Sequence, residues 1–233
     1  MSQSAHLSTV EILATFRETI VARGGRVTDT YDDGRRLFTR SVLNLAEDVR
    51  PGDRLKGGVA LRATELEVSV HPHLFRQVCR NGAIVAQSLD TLYLADISLF
   101  EADEARHLIR EGIEACCGEE VFAEGVAQMR SAAASQVDLA LMMMPLLARV
   151  GELSGVNLAA EIIDRFFRDG DRSRFGLVQA ITSVARDNID PDVRWNLEEL
   201  GGAVAADIVW EPSPDFGGTT ADERRASALV GST

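Results

Sequence analysis

The chain has 233 residues, 45% of them hydrophobic and 26% charged, and its 36 acidic and 24 basic side chains give a formal net charge of -12. That length buries a full core without disulfides or metal, and the composition excludes a wholly disordered chain. Three cysteines, two of them adjacent at Cys116 and Cys117, exclude a disulfide framework and paired CxxC zinc ligation; with no apolar run of roughly 18 residues and no basic-then-apolar leader in MSQSAHLSTVEIL, a cytoplasmic protein with reduced thiols is expected.

From the N-terminus, Ser8 and Glu11 have capping-box spacing, and Val10, Leu13, Phe16, Ile20 and Val21 then recur at helical intervals until Gly24-Gly25. RVTDTYDDGRRLFTRSVLN reads as two strands around Asp33-Gly34, a dipeptide suited to the positive φ of a tight hairpin. Arg50-Pro51-Gly52-Asp53 is a second turn, and RLKGGVALRATELEVSV continues in β-forming residues, with Gly57-Gly58 marking a bulge or a close backbone approach. These strands are expected to form one antiparallel sheet.

The segment HPHLFRQVCRNGAIV holds two of the four histidines, one cysteine and two arginines, and no carboxylate. Pro72 is expected to open a short helix through Cys79, with Asn81-Gly82 closing it and AIVAQSLDTLYLAD returning as a strand. Ser98 and Glu101 repeat the capping-box spacing, and the remainder reads as helical, with breaks at Gly118, Pro145, Gly151 to Gly155, Gly170 and Asp190-Pro191. Pro145 kinks or ends the helix of DLALMMMPLLARV, whose methionines read as core filler. Beyond Pro212 the composition turns to Pro, Ser, Gly and Thr, with Phe216 as an isolated aromatic. The reading is an α+β fold: a helix and antiparallel sheet over residues 1–97, a helical region over 98–211, and a flexible tail over 212–233.

Charge divides the same way. Residues 1–88 hold 12 basic against 10 acidic side chains and residues 89–233 hold 12 against 26, while residues 34–88 hold 9 against 5. A polyanion would therefore meet the sheet region, and the acidic second part reads as solvated helix surface.

The candidate chemistries narrow quickly. His71 and His73 flank a proline without the i, i+4 spacing that aims two imidazoles at one metal, so they read as structural. Cys79 as a nucleophile would need a base and a cationic neighbourhood. His71 or His73, with Arg76 and Arg80, could supply both, but a cysteine beside Leu74, Phe75 and Val78 is the ordinary composition of a buried helix face. No phosphate loop, zinc-protease or serine-hydrolase motif occurs. Glu119-Glu120 and Glu198-Glu199 are adjacent helical pairs that read as solvated surface. No catalytic residue, metal or cofactor is assigned.

Val78-Cys79-Arg80-Asn81, Gln179-Ala180-Ile181-Thr182 and DPDVRWNLEELGGAV over 190–204 together resemble the phage/plasmid-like proteins grouped as domain of unknown function nine hundred thirty-two. The resemblance implies a mobile-element setting, an α+β fold and structural roles for Cys79, Asn81, Ala180 and Thr182. It implies no reaction. The order of helix, antiparallel strands and short helix is also similar in outline to the single-strand annealing proteins. On that likeness Arg35, Arg36, Arg40, Arg54, Lys56 and Arg62, extended by Arg76 and Arg80, would track the phosphates of single-stranded nucleic acid, with Tyr31 and Phe38 as stacking surfaces. The alternative is an acidic interaction or self-assembling scaffold, a homo-oligomer without nucleic acid, whose helical half engages the partner.

Overall fold

The computed structural model describes residues 7–76, 81–84, 91–138, 150 and 158–209. The first helix, α1 (Thr9–Ala22), starts at the expected box: Ser8 Oγ accepts from the Glu11 amide and the Glu11 carboxylate accepts from the Ser8 amide. Ile12, Leu13, Phe16 and Ile20 form its buried face, whereas Val10 and Val21 point to solvent.

Seven strands follow: β1 (Arg26–Asp32), β2 (Arg36–Val42), β3 (Ala46–Arg50), β4 (Asp53–Thr64), β5 (Val68–Arg76), β6 (Asn81–Ile84) and β7 (Leu92–Leu94). All pairings are antiparallel, in the order β1-β2-β4-β5-β6, with β3 beside β4 and β7 beside β5. The β1–β2 turn is the expected one: Gly34 has φ 81°, and Asp33 Oδ1 accepts from the amides of Arg35 and Arg36. Gly58 is a close approach, because a Cβ there would lie 2.0 Å from the Ser41 carbonyl oxygen. Gly58→Ala is expected to cost roughly 2 kcal/mol, since main chain would have to move, and a urea titration beside wild type would measure it.

The expected corner helix is not seen over its described residues, 72–76, which belong to β5, and residues 77–79 lie outside the described residues. Pro72 lies within β5, opposite Val59. Two contacts make room for a residue without N–H: the Val59 amide and carbonyl both turn to Ser41 Oγ on β2, away from Pro72. On the other edge of β5, β7 pairs with Val68 to Val70 and β6 with His73 to Arg76, so Pro72 falls between them and no ladder bond is lost. Asn81-Gly82, expected to close that helix, begins β6, paired with Arg76 and Phe75. The single strand expected over 83–96 is represented by β6 and β7, two short strands on β5.

Ser98 also departs from expectation. It sits in a 3-10 turn (Ile97–Leu99) capped by Asp96, and α2 (Ala102–Cys116) begins at Glu101. Then come α3 (Glu119–Ala134), α4 (Leu158–Asp169), α5 (Arg174–Asp187) and α6 (Pro191–Ala206), with the expected breaks at Gly118, Gly170 and Asp190-Pro191. Asp190 caps α6 by accepting from the Asp192 and Val193 amides. Pro145, Gly151 to Gly155, the methionine triplet and the tail lie outside the described residues.

The strands' period of two sorts the sheet into two unlike faces. Leu37, Val59, Leu61, Ala63, Val68 and Val70 share a core with Phe16 and Ile20 of α1 and Ile109 and Ile113 of α2. Leu55, Leu74 and Ala83 join a second core with α3, α4, α5 and α6. On the opposite face Phe38, Ala60 and Ile84 close around Trp195 of α6. The fold is α+β, and among the described residues no helix is long and apolar enough to cross a membrane.

Candidate functional site

Alternation places Arg36, Phe38 and Arg40 of β2, Ala60 and Arg62 of β4, and Ser69, His71 and His73 of β5 on the face that α6 covers. The helix meets the arginines with matching groups three to four residues apart. Arg36 Nη1 donates to Asp192 at 2.6 Å, Arg62 stacks over the Trp195 ring at 5.1 Å, and Arg40 Nε donates to Glu198 at 2.7 Å. Trp195 Nε1 in turn donates to Glu199. Glu198, expected on solvated surface, is 1% exposed and also accepts from Arg194 Nε at 3.1 Å, while Arg194 Nη1 reaches Asp29 at 2.6 Å. A buried carboxylate on a helix that covers arginines needs such partners.

The other basic residues singled out by sequence lie elsewhere. Arg76 pairs with Asp53 and donates to Gln179. Arg35 and Arg54 are exposed on the hairpin turn and on β4, and Lys56 is half-buried. Cys79 and Arg80 fall outside the described residues. Ala180 and Thr182 are buried in α5, where Thr182 Oγ1 donates to the Val178 carbonyl and its methyl lies 2.8 Å from where a Cβ on Gly201 of α6 would stand. Among the described residues the arginines thus form no continuous exposed track. Tyr31 is the exposed member of the proposed stacking pair, since Phe38 is in the core.

Beside α6 the same face opens into a cleft of about 660 Å³. Its walls are Arg26, Val27, Thr28 and Asp29 from β1, Arg40 from β2, His73 and Phe75 from β5, Gly82 from β6, Arg186 from α5, and Arg194 and Glu198 from α6. A bulge makes this possible: Arg26 pairs with Val42 and Asp29 with Arg40, so Thr28 is the extra residue that lets Arg26 and Asp29 share a face. Four arginines face two carboxylates, in a protein that is acidic as a whole.

Several donors at the cleft are not used internally. Arg26 is exposed and makes no ion pair among the described residues. Arg40 is 4% exposed and its Nη2 has no acceptor among the described residues, although Nε and Nη1 face Glu198 and Asp29. His73 is 2% exposed and among the described residues neither ring nitrogen has a hydrogen-bond partner; Nε2 stands 3.9 Å from Glu198. Burial pushes His73 down to about 4, with Glu198 pulling up and Arg40 and Arg194 pushing further down, so the ring is neutral at pH 7. Gly82 leaves space for it, since a Cβ there would lie 2.2 Å from His73 Nε2.

The arrangement suits anion binding better than bond-making. The Ser69 hydroxyl hydrogen-bonds His71 Nε2, but Ser69 is buried, and burial with the charge of Arg62 holds His71 at about 4, a weak base at neutral pH. Burial pushes the Cys117 thiol up to about 11, the reverse of an activated nucleophile. His71 and His73 share a face of β5, yet among the described residues no three metal-capable side chains converge. Sequence reading missed Arg26, Arg186, Arg194 and Gly82, whose convergence is set by three distant segments and a bulge. No protein-family model, curated protein or solved structure matches the chain significantly.

Proposed function

We propose that the chain is a non-catalytic binding protein that takes the phosphates of single-stranded nucleic acid in this cleft. The observation that carries the reading is the convergence of Arg26, Arg40, Arg186 and Arg194 on one open cleft in a protein of net charge -12. Guanidinium forks match phosphate oxygens, and the half-buried Phe75 offers a face for a base. Among the described residues α6 packs on one face of the sheet and α1 and α2 on the other, which favours a single strand in the cleft over a duplex laid across the sheet. The mobile-element setting rests on the family resemblance and is compatible with this role. The contact residues shift from the hairpin arginines to the cleft: Arg36 and Arg40 are tied to Asp192 and Glu198, so reversing them would test folding before binding.

Fluorescence anisotropy with a labelled single-stranded oligonucleotide and its duplex, each at two salt concentrations, tests the reading. Single strands are expected to bind tighter, with a logarithmic salt slope of about -0.7 per phosphate contacted. The internal pairing of Arg36, Arg40 and Arg76 favours a second reading, an acidic interaction scaffold. Absence of binding to either oligonucleotide at low salt would favour that scaffold.

A further inference from the structure

Resting on the nucleic-acid reading, we infer that the cleft is built for a terminal phosphomonoester, the end of a strand or a free nucleotide, in preference to the phosphodiesters inside a strand. Internal phosphates are singly charged and strung along a line, which a linear track of cations would follow. Here the cations converge instead. Arg26, Arg40, Arg186 and Arg194 arrive from four elements around about 660 Å³, a volume in the range of small-ligand sites.

The charge of the lining also fits. Four arginines less Asp29 and Glu198 leave two positive charges beside a neutral His73, and a phosphomonoester carries about -1.5 to -2 at pH 7 with three acceptor oxygens. The two carboxylates do not present themselves as bare anions. Glu198 accepts from both Arg40 and Arg194, and Asp29 from Arg194, so they hold those forks in place while Arg40 Nη2 remains without an acceptor among the described residues. Asp187, beside Arg186, is shared with Arg165. Phe75 supplies an apolar wall for the base attached to the phosphate.

The test uses the full chain and one single-stranded sequence carrying a 5′-phosphate, a 3′-phosphate or hydroxyls at both ends, with a deoxynucleoside monophosphate and its nucleoside as competitors. At least one phosphorylated end should bind about tenfold tighter than the hydroxyl form, since charge-assisted guanidinium bonds of this kind contribute about that factor. The monophosphate should compete better than the nucleoside. A monophosphate that binds as tightly as the oligonucleotide would identify free nucleotide as the source. The preference should disappear in Arg26→Gln with Arg186→Gln, both exposed positions, with an unchanged thermal melt confirming the fold. Equal, tight binding of all three ends, or a preference that survives in that variant, would overturn the inference and leave the binding function standing. No binding of any oligonucleotide would overturn both.

Discussion

Replacing Glu198 by alanine is expected to lower the unfolding free energy by about 3–5 kcal/mol, because the change removes the nearer counter-charge of buried Arg40 and leaves it Asp29 at 3.5 Å. Arg40 is 4% exposed and its Nε would lose its acceptor, while Arg194 would keep Asp29 alone. The neighbouring Glu199→Ala removes an acceptor for Trp195 Nε1 and a carboxylate that acts on Arg62, and a smaller loss, about 1 kcal/mol, is expected. Urea titrations of the two variants beside wild type check the contrast. The pair Arg40→Met with Glu198→Leu should recover much of the stability, since a buried ion pair replaced as a whole by apolar groups is near neutral. It would still remove an arginine and its positioning carboxylate from the cleft. If the two single variants melted together, Glu198 would not be acting as the internal counter-ion.

The second large effect is a loss of stability in mild acid, centred on His73. Its folded value, about 4, lies below its ordinary 6.5, so between these values the unfolded chain takes up a proton that the folded chain refuses. The stability is complete above about 6.5, falls as pH drops through that window, and loses nothing further from this group below about 4. The slope approaches about 1.4 kcal/mol per pH unit, for a total of about 3 kcal/mol, and half-buried His71, also held at about 4, adds in the same direction. Asp33 acts in a separate, more acidic window, because its carboxyl is held at about 2 against an ordinary 3.8 by the Arg35 and Arg36 amides and the Arg36 side chain, which outweigh its burial. Denaturation at pH 7, 6 and 5 should therefore show a decline that His73→Asn shallows. An unchanged midpoint over that range would mean the ring is not buried neutral.

Local chemistry made much of this fold legible. The Ser8–Glu11 box and Asp33-Gly34 act through contacts within a few residues, and both are where the sequence puts them. Period-two alternation along β2 puts Arg36 and Arg40 on one face. What the sequence does not carry is the covering element: Asp192 and Glu198 lie more than 150 residues from the arginines they meet, and nothing near Glu198-Glu199 distinguishes a buried carboxylate from a solvated one. The place of Pro72 is illegible for a related reason. Its suitability for β5 depends on Val59 turning to Ser41 and on the gap between β6 and β7, so the local preference of proline for a helix start was the wrong guide. The cleft is less legible still, since Arg26, Arg186 and Arg194 have no common motif and meet only because β1 is bulged and α5 and α6 pass beside the sheet.

The most direct measurement compares charge reversals at two places. Arg26→Glu with Arg186→Glu alters the cleft at two exposed positions, and Arg35→Glu with Arg54→Glu removes the same charge from exposed strand and turn positions outside it. Anisotropy titrations of a labelled single-stranded oligonucleotide at low salt are expected to show a loss of at least about tenfold for the cleft variant, the equivalent of one well-placed guanidinium contact, and a much smaller change for the control. Equal losses in both variants, or a larger loss in the control, would contradict a cleft-centred site.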